Sequence, residues 1–172
     1  CTGMTVDFTN TGTVTGTTWL WNFGSGATPA TSTAQNPAGV IYSTSGTKVV
    51  TLTTTNTATG CTAFATQTIN INETPAPAFT STAPQCQGSA VTFAYTGTTG
   101  PGWTYAWDFG TSASPAISSA QNPGSVMYNS GGTKTISLTV TNNGNCTQTI
   151  TQTITINPLP VANAGSDTTI CA

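Results

Sequence analysis

A chain of 172 residues with only six formally charged side chains, a net charge of -2, two lysines and no histidine or arginine narrows the possibilities at once. No basic stripe exists to neutralise phosphates, which argues against nucleic-acid binding, and apolar residues alternate with polar ones instead of running for about eighteen positions, which argues against a membrane span. About forty threonines, with abundant glycine and proline, disfavour helix and suit half-exposed pleated strands.

In chain order, Val6 and Phe8 alternate on one strand, and Trp19, Trp21 and Phe23 share one face of the next. A Gly/Ala/Ser/Pro-rich stretch up to Tyr42 reads as a loop with one or two short edge strands. Val50, Leu52 and Thr54 then share a face, as do Ala65, Gln67, Ile69 and Ile71 on the returning strand. After the Pro-rich segment and strand from Pro75 to Thr80 the order recurs: Val91, Phe93 and Tyr95; Tyr105, Trp107 and Phe109; Tyr128; Ile136, Leu138 and Val140. Asn142-Asn143-Gly144-Asn145 predicts a hairpin before the strand carrying Ile150, Gln152, Ile154 and Ile156. Val161 to Asp167 repeats the Pro75–Thr80 pattern once more.

The chain is therefore one pattern written twice. Thr18-Trp19-Leu20-Trp21-Asn22-Phe23-Gly24 returns as Thr104-Tyr105-Ala106-Trp107-Asp108-Phe109-Gly110, and Gly46-Thr47-Lys48 as Gly132-Thr133-Lys134, at a shift of 86. Past the hairpins the shift is 85: Cys61 aligns with Cys146, and Cys1, Cys86 and Cys171 form one column. So long a period means repeated domains rather than solenoid turns. Repeat 1 spans residues 1–72, lacking its first strand; repeat 2 spans 73–157; residues 158–172 are the first strand of a third repeat or a donor strand. The expectation is a window from a longer array, with a strand supplied by a neighbouring molecule as the alternative. About seven short strands per repeat around a central tryptophan predict an all-β chain of tandem immunoglobulin-like sandwiches, with Trp21, Phe23, Tyr42, Trp107, Phe109 and Tyr128 as structural core.

Trp107-Asp108-Phe109-Gly110, Asn122-Pro123, Tyr128, Gly132-Thr133-Lys134 and Leu138-Thr139-Val140-Thr141-Asn142 resemble the PKD (polycystic kidney disease) domain, an immunoglobulin-like sandwich, and the resemblance covers both repeats. The Cys before the second strand and the Gly-Cys or Gly-x-Cys hairpin are similar to PKD-like tandem repeats of Bacteroidota surface and adhesin proteins. The chain departs from the family motif where Gly24-Ser25-Gly26 and Gly110-Thr111-Ser112 replace Gly-Asp-Gly and Asn22 replaces the Asp. Without those carboxylates a calcium site loses its oxygen donors, so no metal or other cofactor is expected.

Chemistry points the same way. Asp108 has no acid/base partner at comparable spacing and reads as a turn cap, paired carboxylates for glycoside hydrolysis are missing, and a Ser or Cys nucleophile would lack a histidine base. The expectation is a non-enzyme. The five cysteines, Cys1, Cys61, Cys86, Cys146 and Cys171, are disulfide candidates, with buried free thiols as the alternative, and they point to an oxidising, extracellular or cell-surface setting. In a sandwich the turn before the second strand and the hairpin lie about 25 Å apart for strands of about eight residues. Cys86 to Cys146 is then beyond the ~7 Å Cα limit. The spacing favours a link across repeats, Cys1 to Cys146, leaving Cys61 and Cys86 for preceding and following repeats.

Trp103, in a Gly-Pro-Gly loop absent from repeat 1, and Phe64, on the outward phase of its strand, are candidate interface residues, and Thr168 in Asp167-Thr168-Thr169 is a candidate O-glycosylation site. So few charges leave sheet edges without gatekeepers and favour association. The predicted role is a non-catalytic structural repeat of an extracellular stalk, fibre or adhesin, whose partners are neighbouring repeats or copies of itself. Alternatives are a module binding surface polysaccharide or another polymer, accessory to a secreted hydrolase, and a filament subunit completed by strand exchange.

Overall fold

The computed structural model describes residues 1–12 and 15–165. Cys171 and Thr168 lie outside the described residues. Two compact units emerge. Unit 1 comprises Cys1–Ala76 with Thr99–Trp103 and Thr141–Gln148; unit 2 comprises Pro77–Thr98, Thr104–Val140 and the residues from Thr149 on. Every regular element among the described residues is a strand.

In unit 1 the strands are β1 (Thr5–Val6), β2 (Thr17–Asn22), β3 (Ala27–Thr28), β4 (Thr31–Ser32), β5 (Val40–Tyr42), β6 (Gly46–Asn56) and β7 (Thr62–Ile71). One sheet has the order β1-β5-β3 and the other β4-β2-β6-β7. Antiparallel register sets Trp21 opposite Leu52 and Leu52 opposite Ala65. The two-residue period therefore turns Trp21, Val50 and Ile71 towards Val40 and Tyr42, and these bury with Phe8 and Phe23 as one core. Phe8 stacks on Phe23 at a centroid distance of 5.0 Å. The stretch between β2 and Tyr42 holds two short edge strands, β3 and β4.

In unit 2 the strands are β8 (Phe79–Ser81), β9 (Gln85–Cys86), β10 (Ala90–Val91), β11 (Phe93–Tyr95), β12 (Thr104–Asp108), β13 (Ala113–Ser114), β14 (Ile117–Ser118), β15 (Val126–Tyr128), β16 (Gly132–Thr141) and β17 (Thr147–Asn157), the last two reaching into the hairpin assigned to unit 1. The sheets run β10-β15-β13, β11-β8 and β14-β12-β16-β17-β9. Here β8 pairs with β11, Tyr95 opposite Phe79, and the Phe79 ring meets Trp107 edge-on at 5.0 Å. Phe109, Tyr128, Ile136, Leu138 and Val140 are fully buried. Residues 158–165, after β17, carry no strand.

Both units repeat the same internal bonds. The Trp21 and Trp107 indoles donate to the Ala34 and Ala120 carbonyls, and the Tyr42 and Tyr128 hydroxyls donate to the Phe23 and Phe109 carbonyls. Each lysine is buried along its stem and ends on a hydroxyl, Lys48 on Thr44 at 2.8 Å and Lys134 on Ser130 at 2.9 Å, so the apolar stem packs while the ammonium stays hydrogen-bonded.

Candidate functional site

A polar constellation lies in unit 1, where the first residues of the chain meet the segment after β7 and the β16–β17 hairpin. Thr2 donates its amide to the Asn72 carbonyl at 2.8 Å, and Thr74 returns two bonds, its amide to Thr2 Oγ1 and its hydroxyl to the Thr2 carbonyl. Asn142 is the hub. Its Oδ1 accepts the amides of Gly144 and Cys146, closing the hairpin, while its Nδ2 donates to the Glu73 carbonyl. An Asx-type side chain suits this task because its amide mimics a backbone turn on one side and keeps two donors for the other. Gly144 packs against the Asn72 side chain, leaving no room for a Cβ.

That hairpin carries the disulfide. Cys146 is 1% exposed and bonded to Cys1, the Cα atoms 5.7 Å apart and the residues 145 apart in sequence. Cys61 and Cys86 are exposed thiols. The arrangement is a covalent bond held in a polar collar of backbone and Asx groups.

The other candidate residues have structural partners. Asp108 Oδ1 accepts the Gly110 amide at 2.8 Å, and Asn22 does the same for Gly24 in repeat 1. Gly110 has φ +77°, and a Cβ there would stand 2.7 Å from the Thr135 carbonyl, which explains why the motif ends in glycine. Asp7 Oδ1 accepts the Gly39 amide. No three acidic, cysteine or histidine side chains among the described residues gather where a metal could bind. Burial raises the phenols of Tyr42 and Tyr128, the latter to about 12, and burial also raises Tyr95, helped by the neighbouring Tyr105 and opposed by the hydrogen bond from its hydroxyl to Thr98. Trp21 and Trp107 are buried at 6% and 2% exposure. Trp103 is half-buried in unit 1 against Gly100, whereas Phe64 is 77% exposed.

Unit 1 also holds a groove of about 550 Å³ between Thr9–Gly12 and the outer half of β7, floored by Trp21, Val50 and Leu52. The composition gave no sign of it.

The sequence profile of the PKD domain matches residues 72–157, half of the chain. The chain belongs to the PKD domain family. PKD domains are typically non-catalytic extracellular modules, and their immunoglobulin-like β-sandwich is the architecture of both units. Among solved structures, the chain is similar to the PKD1 domain of Vibrio anguillarum Epp, at 31% identity over 51% of this chain and 99% of that one, with a TM-score of 0.43. It is also similar to the PKD1 domain of the Vibrio cholerae metalloprotease PrtV, at 26% identity over 49% and 99%, with a TM-score of 0.41. The fibronectin(III)-like modules of Clostridium thermocellum CbhA align at 11% identity over 96% and 93%, with a TM-score of 0.39. No curated protein matches the chain.

Proposed function

We propose that this PKD-family chain is a load-bearing structural repeat of an extracellular stalk, fibre or adhesin, without catalytic activity. The observation that carries the reading is the Cys1–Cys146 bond, which closes most of the chain into a single covalent loop. Force entering near Cys1 passes through sulfur to Cys146 and bypasses the strands between them. Disulfides persist in oxidising compartments, which supports the extracellular setting. The polysaccharide-binding alternative would need an exposed aromatic row, and burial of Trp21 and Trp107 counts against it.

Stretching single chains between their ends tests this reading. With the bond intact, extension is expected to stop after the residues beyond Cys146. Reductant or Cys146→Ser should release roughly 500 Å more, at about 3.5 Å per residue for the 145 residues inside the loop. An oxidised chain that extends to full length at the same force as the reduced one would show that the bond carries no load, and would sink the reading.

A further inference from the structure

The β16–β17 hairpin contains a reactive step that neither the fold nor the disulfide uses. Asn143-Gly144 is the single Asn-Gly pair in the sequence, and every other asparagine is followed by a residue with a side chain. In such a pair the side-chain carbon Cγ lies within ring-closing reach of the next backbone nitrogen, and glycine has no Cβ to hinder the approach. Asn-Gly also suits a hairpin turn, but the other repeat shows that the turn does not require it. There Asn56 closes the β6–β7 hairpin through Thr57-Ala58-Thr59-Gly60, its Oδ1 accepting the Ala58 and Thr59 amides, with no Asn-Gly step.

Asn143 is exposed at the tip of its turn, where the Asn145 amide donates back to the Asn142 carbonyl at 3.1 Å. The nitrogen that would attack it is guarded. The Gly144 amide donates to Asn142 Oδ1 at 2.9 Å, and a backbone N–H so engaged is slow both to lose its proton and to swing onto its neighbour. Asn142 is itself fixed: it is 5% exposed, and its Nδ2 donates to the Glu73 carbonyl, so Oδ1 cannot turn away without breaking a second bond. Gly144 packs against the Asn72 side chain with no room for a Cβ. Asn72 and Glu73 belong to the segment after β7, not to the hairpin, so the guard on the Gly144 nitrogen depends on the hairpin staying docked there, and the Cys1–Cys146 bond keeps it docked.

We propose that Asn143 is a site of spontaneous covalent modification that docking keeps latent, and that it converts to aspartate and isoaspartate once Asn142 releases the Gly144 amide. The Gly144 nitrogen gives up its proton and attacks Asn143 Cγ. A Cγ–N bond closes a succinimide ring as the Cγ–Nδ2 bond breaks, and Nδ2 leaves as ammonia with that proton. Water then opens the ring, at Cγ to give aspartate or at the main-chain carbonyl to give isoaspartate; nothing is oxidised or reduced. Isoaspartate routes the main chain through the former side chain and lengthens the turn by a carbon atom. A turn closed by Asn142 and packed on Asn72 has no space for that atom, so a converted hairpin docks less well and its opening is recorded irreversibly.

The test follows the 172-residue chain, with Cys61, Cys86 and Cys171 alkylated and the Cys1–Cys146 bond intact, over days at mildly alkaline pH. Mass and chromatographic retention of the peptide spanning residue 143 report aspartate and isoaspartate. The folded chain is expected to convert at least about tenfold more slowly than the same chain in denaturant, because the rate follows the population of open turn. Reducing and alkylating Cys1 and Cys146 should speed the folded chain at least about threefold, since hydrogen bonds alone then hold the hairpin. Asn142→Ala, which removes the guard, should bring the rate to within about threefold of the denatured value, whereas Asn142→Asp, which keeps an acceptor for the Gly144 amide, should stay nearer the native one. Hydrogen exchange of the Gly144 amide, read in each unconverted protein, should rank the variants in the same order, which separates loss of the guard from general unfolding. The purified isoaspartate form should melt lower in unit 1. Equal rates in the folded and denatured chain, indifference to both Asn142 variants, or an isoaspartate form that melts like the parent would overturn the proposal.

Discussion

Tyr128 shows how one buried group shapes the behaviour of its unit. Its ring is fully buried and its hydroxyl donates to the Phe109 carbonyl at 3.0 Å, so ionisation would place a charge in an apolar site and lose the donor. The phenol accordingly rises from 10.0 to about 12, and Tyr42 shifts in the same direction by burial. The native state thus holds the proton more tightly than the unfolded chain does. This contribution to stability is complete below pH 10 and drains away as pH climbs towards about 12. Tyr128→Phe should lessen that alkaline decline by removing its share, leaving those of Tyr42 and Tyr95. At neutral pH it should cost about 1–2 kcal/mol, the penalty of an unsatisfied buried carbonyl. Denaturant melts on both sides of pH 10, with ultraviolet titration of tyrosinate, check both parts; an alkaline slope unchanged in the variant would assign the decline to other groups.

Among the strands, β6 and β16 share a sequence pattern but not an environment. Leu138 is fully buried with Val140 beside it, whereas Leu52 and Thr54 lie half-buried along the open groove. Leu138→Ala should therefore cost about 3–4 kcal/mol and Leu52→Ala about 1–2, since a partly exposed side chain loses less transfer energy and leaves less of a cavity. Equal losses in thermal melts would show that the groove is closed in solution. The contrast also marks how far sequence reaches. Strict alternation made β6, β7, β16 and β17 legible, because a two-residue period has one structural meaning. The Trp-x-Phe-Gly and Tyr positions likewise marked the buried core, since aromatic pairs at that spacing face one side of a strand. What alternation does not encode is depth: Ala65 and Gln67 keep the phase of Ile69 and Ile71, yet stand exposed along the groove. The candidate site divides similarly. The cysteine columns are plain as a period, but the burial of Cys146 beside the exposure of Cys61 is not, because their hairpins are locally alike and differ only in what packs on them.

For the whole molecule, sparse charge and one long covalent loop act together. With two cations and four anions over 172 residues, exposed edges carry little electrostatic protection, and the same surface that favours association leaves stability to packing and to the Cys1–Cys146 bond. A cross-link 145 residues apart removes a large share of the unfolded chain's freedom: on the chain-entropy account, about 5 kcal/mol. Reduction, or Cys146→Ser, should therefore lower the unit-1 melting transition by several degrees at least, while Cys61→Ser leaves it unchanged because that thiol is exposed and unbonded. Calorimetry with and without reductant separates the two. Since the gain arises in the unfolded state, it should persist at high salt, where a stabilisation made of surface charge would fade. A transition that weakens with salt and ignores reductant would move the source of stability from the covalent loop to the surface.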